Sequence, residues 1–201
     1  ILKMGERPEY VFNFGACELE FVARNNYQVS NELINALGVG DIIDIQKDYL
    51  IIMQHPVTSE ISQNRKNIEE TLFAIHELGV PAIWFWPNID AGTDAVSKGM
   101  RAFREKYGQK HIRFIKSLPP EEFIGLLKGS TCLVGNSSAG IKECSYLGVP
   151  VVNIGTRQNN RLKADNVVNV SYDRKEIIKA VKDQMQQCKY SPNHLYYQEG
   201  T

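Results

Sequence analysis

The chain has 201 residues, 43% of them apolar, which is enough for a full core in one large domain, or in one domain with a piece of another. Lysine plus arginine balance aspartate plus glutamate at 23 each, so no net positive field draws the protein to nucleic acid or an anionic membrane. Four scattered cysteines (Cys17, Cys132, Cys144, Cys188) without a CxxC pair or paired histidines argue against a metal site and for reduced thiols in a cytoplasmic protein.

In chain order, residues 10–14 read as a strand ending at Gly15, and 17–24 and 30–37 as short helices closed by Gly38. Gly38-Val39-Gly40-Asp41 reads as a turn. From about Asp48 a strict alternation begins. Strands are expected at 49–53, 80–86, 112–115, 131–134, 150–154 and 167–170. Helices are expected at 60–78, 94–107, 119–128, 141–147 and 173–188. The first carries Ile68, Leu72 and Ile75 on one face, and the second Val96, Met100, Phe103 and Tyr107. No apolar run approaches the roughly 20 residues of a membrane span, and no signal-peptide pattern opens the chain.

Strands alternating with helices imply right-handed βαβ units: an α/β fold, a Rossmann-like parallel sheet with helices on both faces. Ligands of such sheets bind at the carboxyl ends of the strands. The polar residues of this sequence collect there. Gln54-His55-Pro56-Val57-Thr58, Pro87-Asn88-Ile89-Asp90-Ala91-Gly92, Ser117-Leu118-Pro119, Gly135-Asn136-Ser137-Ser138 and Gly155-Thr156-Arg157-Gln158 each follow a strand.

The densest stretch runs from Leu133 through Gly135-Asn136-Ser137-Ser138-Ala139-Gly140 to Glu143: a strand, a tight small-residue turn and a helix start. Unpaired first-turn N–H groups and the positive end of the dipole suit a phosphate. Gly135 and Gly140 are expected to keep side chains away from a close ligand. Ser137 and Ser138 add hydroxyls, and Glu143 can accept hydrogen bonds from ribose hydroxyls. His55 and Arg157 are read as positive donors to a pyrophosphate, and Asn88 as orienting the nucleotide. Each has a plainer reading: Ser137 or Ser138 as an N-cap, Asn88 and Asp90 as turn residues, His55 and Arg157 as loop residues. Together they suit a nucleoside diphosphate. The dinucleotide fingerprint GxGxxG is absent from the first strand–helix loop.

The combination of His55-Pro56-Val57-Thr58, Pro87-Asn88-Ile89-Asp90-Ala91-Gly92, Gly135-Asn136-Ser137-Ser138-Ala139-Gly140 with Glu143, and Gly155-Thr156-Arg157-Gln158 resembles the UDP-N-acetylglucosamine 2-epimerases over nearly the whole chain. It looks most like their hydrolysing branch, which feeds sialic-acid synthesis. The non-hydrolysing branch usually carries a His-Arg-Arg-Glu type loop where this chain has His55-Pro56-Val57-Thr58. The resemblance implies the C-terminal half of a GT-B type enzyme. Residues 1–47 would be a connecting segment from a missing N-terminal domain, and 48–201 the nucleotide-binding domain. It implies a UDP-sugar substrate held by His55, Asn88, Ser137, Ser138, Glu143 and Arg157. It implies no cofactor or metal, and a homo-oligomer. Catalytic residues are expected in the missing domain, so the fragment alone is expected to be inactive. The tail from Ser191 departs from the family's usual Tyr-Gly-Asp-Gly pattern. A non-hydrolysing UDP-N-acetylglucosamine 2-epimerase, a GT-B glycosyltransferase domain and a non-catalytic nucleotide-sugar binding module remain as alternatives.

Overall fold

Short apolar runs assemble into one seven-stranded sheet. Its strands are β1 (Val39–Gly40), β2 (Leu50–Met53), β3 (Ala82–Phe85), β4 (Ile112–Ile115), β5 (Cys132–Gly135), β6 (Val151–Ile154) and β7 (Val167–Val170). They lie in the order β1-β4-β3-β2-β5-β6-β7. All are parallel except β1, which runs antiparallel to β4 at the edge. The helices are α1 (Cys17–Arg24), α2 (Asn31–Ala36), α3 (Asn64–Leu78), α4 (Thr93–Tyr107), α5 (Pro120–Gly129), α6 (Ser138–Ile141), α7 (Glu143–Leu147) and α8 (Arg174–Gln186). This computed structural model describes residues 1–24, 27–187 and 189–197. Cys188, the expected end of the last helix, and tail residues 198–201 lie outside the described residues. Among the described residues no helix is long and apolar enough to cross a membrane.

Period-two alternation within the strands divides the core into two layers. Leu50, Ile52, Trp84, Phe114, Val134 and Val152 meet Ile68, Leu72 and Ile75 of α3, Val96, Met100 and Phe103 of α4, and Ile177 and Val181 of α8. Ile51, Ile83, Phe85, Ile115, Leu133 and Val151 face the other way. They meet Ile34 of α2, Leu126 and Leu127 of α5, Ala139 of α6 and Cys144 of α7. Burying each large apolar side chain is worth roughly 1.5–3 kcal/mol, against about 1 for a helix cap, so strand alternation rather than capping dictates the architecture. Tyr107, expected on the buried stripe of α4, is exposed at its end.

Four local expectations change. Residues 10–14 form no strand: Pro8–Tyr10 is a 3₁₀ turn, and Tyr10, Phe12 and Phe14 are exposed. Alternation makes a strand only where a neighbour supplies the ladder, and among the described residues none pairs there. Residues 38–41 are more than a turn, because Val39 and Gly40 pair with Phe114 and Arg113. A Cβ on Gly38 would lie 1.9 Å from the Phe114 carbonyl oxygen, so the absence of a side chain permits this approach. The helix expected at 60–78 opens as a 3₁₀ stretch, Thr58–Gln63, before α3 begins. The helix expected at 141–147 starts earlier, at Ser138, and breaks at Lys142 (φ −103°, ψ −70°) into α6 and α7.

Arg113 anchors the chain before β2 onto the sheet. Its buried guanidinium donates to the carbonyls of Ile34 (2.9 Å), Leu37 (2.8 Å), Gly40 (3.3 Å) and Asp41 (3.0 Å), and to that of Asn35. Residues otherwise too irregular to satisfy their own carbonyls are thereby held against β4.

Candidate functional site at the sheet's switch point

Strand order runs outward from β2 through β3 to β4, and outward from β5 through β6 to β7, so it reverses between β2 and β5. Loops leaving two such strands in opposite directions open a crevice at their carboxyl ends. Asn136, directly after β5, ties the crevice together. Its Oδ1 accepts from the His55 backbone N–H at 2.7 Å, and its Nδ2 donates to the His55 carbonyl at 2.9 Å. Its own carbonyl accepts from Arg157 Nη1 at 3.1 Å and Gln158 Nε2 at 2.8 Å. The loops after β2, β5 and β6 therefore meet at one residue. Gly135 makes this possible: its φ is +139°, and a Cβ there would lie 2.1 Å from the Met53 carbonyl oxygen. A Cβ on Gly140 would meet Val151 and Leu133 at 3.0 and 3.2 Å. Both glycines thus serve close packing within the protein, which corrects the expectation that they clear space for a ligand.

His55 is buried, and its Nδ1 accepts from the Asn88 N–H at 3.3 Å, which leaves the imidazole proton on Nε2. Burial, and then the nearby Arg157 charge, lower its pKa to about 4, while Asp90 opposes them. At neutral pH this is an uncharged N–H donor, not the positive donor expected from sequence; the buried site disfavours the cation. Asn88 also serves its turn, since its carbonyl accepts from Thr93 Oγ1 at 2.6 Å at the start of α4. Arg157 is half-buried, and its Nη2 lies 3.9 Å from Asp90 Oδ2, too far for a hydrogen bond. With Pro56, Val57, Thr58, Asp90 and Thr156 it lines a cleft of about 400 Å³.

Ser137 caps α6, its Oγ accepting from the Ala139 N–H at 3.3 Å, and Ser138 is the first residue of that helix. Glu143 opens α7. Its carboxyl is pushed above the usual range, chiefly by burial, and its Oε2 is buried without a hydrogen-bond partner among the described residues. A polar atom in that position ordinarily costs stability unless it serves something else. His55, Asn88, Ser137 and Arg157 are thus joined directly or through Asn136, with Ser138 next in the chain. Glu143 stands apart, beyond the break at Lys142. The residues missed as individual contributors are Asn136 and Gln158. Their signal was available as polar residues in the loops that follow β5 and β6.

Fold and crevice define a Rossmann-like α/β domain of the kind that forms half of a GT-B enzyme. The sequence pattern of the UDP-N-acetylglucosamine 2-epimerase family matches residues 1–201, and the chain belongs to that family. A UDP-N-acetylglucosamine 2-epimerase of Neisseria meningitidis serogroup B is 30% identical over 182 residues, covering 90% of this chain and 46% of that protein. A UDP-N,N'-diacetylbacillosamine 2-epimerase (hydrolyzing) of Legionella pneumophila is 28% identical over 196 residues, covering 98% of this chain and 50% of that protein. The chain thus spans about half the length of the curated relatives it matches. The crystal structure of Methanocaldococcus jannaschii UDP-GlcNAc 2-epimerase in complex with UDP-GlcNAc and UDP aligns with a TM-score of 0.68 at 18% identity. That alignment covers 98% of this chain and 54% of that one, and at such identity it establishes the shared fold.

Proposed function

We propose that this chain is the UDP-binding, carboxyl-terminal half of a hydrolysing UDP-N-acetylglucosamine 2-epimerase, which converts UDP-GlcNAc to N-acetylmannosamine and UDP. The observation that carries the reading is the junction at Asn136, which gathers His55 and Arg157 beside the Ser137-Ser138 helix start. In this reading Arg157 and the serine turn take the pyrophosphate, and His55 donates from Nε2. Asn88 orients the nucleotide, and the unpartnered oxygen of Glu143 accepts a ribose hydroxyl. The hydrolysing assignment is supported by His55-Pro56-Val57-Thr58 and by the name of the Legionella relative.

The reaction removes the C2 proton, eliminates UDP to a 2-acetamidoglucal and adds water. Those proton transfers need carboxylates with tuned pKa values, which this reading assigns to a preceding amino-terminal domain. Residues 1–47 then connect the two domains, and residues 48–201 form the nucleotide-binding one. The exposure of Ile1, Leu2, Met4, Tyr10, Phe12 and Phe14 supports a covering partner for the start of the chain. A cytoplasmic homo-oligomer acting in sialic-acid synthesis completes the proposal.

Calorimetric titration of the chain with UDP, followed by NMR of the sugar after incubation with UDP-GlcNAc, tests it. Expected are UDP binding and no turnover by the chain alone. Absence of UDP binding would overturn the nucleotide assignment, and turnover by the chain alone would overturn the placement of catalysis elsewhere.

A further inference from the structure

Glu60 has no place in the nucleotide contacts above, yet it stands where three loops meet. It is half-buried at the non-helical residue (φ −126°, ψ 29°) of the 3₁₀ stretch after β2. One carboxylate oxygen, Oε1, accepts from the Thr156 hydroxyl; the other, Oε2, accepts from Asn67 Nδ2 of α3 at 3.4 Å. The Tyr172 hydroxyl, from the loop between β7 and α8, faces the same carboxylate, the Asn67 amide and the backbone of Thr156. The Tyr172 ring packs on Gly155 so closely that a Cβ there would lie 2.2 Å from Cζ, and Gly155 has a φ of +72°. Thr156 is followed directly by Arg157, whose Nη1 reaches the Asn136 carbonyl at 3.1 Å. Asn67 is itself fixed, its carbonyl accepting from Gln54 Nε2 at 3.3 Å, next to His55.

We propose that Glu60 and Tyr172 form a latch that positions Arg157 for the diphosphate, an inference that rests on the nucleotide reading above. The loop 155–157 has no strand or helix of its own to hold it. Tyr172 fills the space under Gly155 from below, and Glu60 holds Thr156 from the side, so the guanidinium enters the crevice already oriented. Charge-assisted bonds from arginine depend on the placement of its planar fork, so a loosened loop loses affinity for the diphosphate without losing the arginine. Neither latch residue touches the nucleotide. Both act as positioning residues through Arg157.

The test is a double-mutant cycle on the whole chain, read by calorimetric titration with UDP and with uridine. Tyr172→Phe keeps the ring and removes the hydroxyl; Glu60→Gln keeps the size and removes the charge. Each variant is expected to weaken UDP binding about tenfold, to change uridine binding less than twofold, and to have no further effect in an Arg157→Ala background. Equal weakening of UDP and uridine, or an undiminished loss in the Arg157→Ala background, would overturn the latch in favour of a structural role. Unchanged UDP affinity in both variants would overturn it too, while leaving the nucleotide reading standing. If the parent chain binds no UDP, that reading fails and the latch falls with it. If Glu60→Gln does not fold, the Tyr172→Phe arm decides alone, since it removes a single oxygen.

Discussion

Two side chains of the proposed nucleotide contacts, His55 in the crevice and Glu143 apart from it, are held in unusual protonation environments, and each yields a prediction. The buried His55 has its pKa lowered to about 4, against 6.5 for a free histidine. Between those values the unfolded chain binds a proton at this residue and the folded chain does not. Stability therefore falls as pH drops from about 6.5 to about 4, by an amount approaching 3 kcal/mol, and is flat with respect to this group above 6.5. Urea unfolding across that range should show His55→Gln with a shallower decline than the parent; identical slopes would place the proton elsewhere. Glu143 differs in kind, because burial raises its pKa and one oxygen has no partner among the described residues. Glu143→Gln removes a poorly solvated charge, so the ligand-free protein should melt at the same temperature or higher. UDP affinity should nevertheless drop about tenfold or more, because hydrogen bonds to a charged group are worth roughly 1.5–3 kcal/mol. The preference for UDP over 2′-deoxy-UDP should shrink with it. An unchanged preference would remove Glu143 from the ribose.

At the scale of elements, the least regular part of the fold depends on one side chain. Arg113 sits in a strand expected from sequence, and its guanidinium satisfies carbonyls from α2 to the residue after β1. Arg113→Met fills the volume but removes the guanidinium donors from those carbonyls, at an expected cost of about 3–5 kcal/mol. Arg113→Lys, with fewer donors on a flexible stem, should recover only part of it. Urea unfolding measures the loss, and hydrogen exchange at the Asp41 amide, which bonds the Ile112 carbonyl, should report local opening first. A loss under 1 kcal/mol would show that apolar packing of Ile34 and Ile43 holds the segment unaided. The helices and parallel strands from Leu50 onward were legible because Ile68, Leu72 and Ile75, or Ile51 and Ile52, write their burial into local periodicity. β1 was not legible, since its pairing comes from two glycines approaching a strand over 70 residues later. The crevice was legible as a set of strand-end loops. Its wiring through Asn136, Glu60 and Tyr172 was not, because those bonds cross between loops far apart in sequence.

At the scale of the whole molecule, the domain closes its own core but leaves its first residues uncovered. Ile1, Leu2, Met4, Tyr10, Phe12 and Phe14 are all exposed, and Phe12 stacks on Phe14 at 5.9 Å rather than on the domain. Among the described residues, backbone hydrogen bonds of residues 1–14 are local, such as Met4 to Ile1 and Val11 to Pro8. Among the described residues, the first backbone ties to distant chain come at Gly15, which bridges to Tyr197, and at Ala16, whose N–H reaches the Tyr196 carbonyl at 2.7 Å. Sequence alternation at residues 10–14 promised a strand, and the missing ingredient is a partner rather than a propensity. A segment that contributes little burial contributes little stability. A chain beginning at Gly15 should therefore melt within about 2 °C of the parent, which corresponds to well under 1 kcal/mol for a domain of this size. It should also bind less of a hydrophobic dye such as ANS, because the exposed apolar residues leave with the segment. UDP affinity should be unchanged, since the hydrogen bonds that join His55, Asn136 and Arg157 are made among residues outside that segment. A fall in melting temperature of more than about 5 °C would mean that the segment packs on the domain, and that its aromatic residues are not awaiting a partner. Loss of UDP affinity with unchanged melting would instead make the start of the chain part of the nucleotide site.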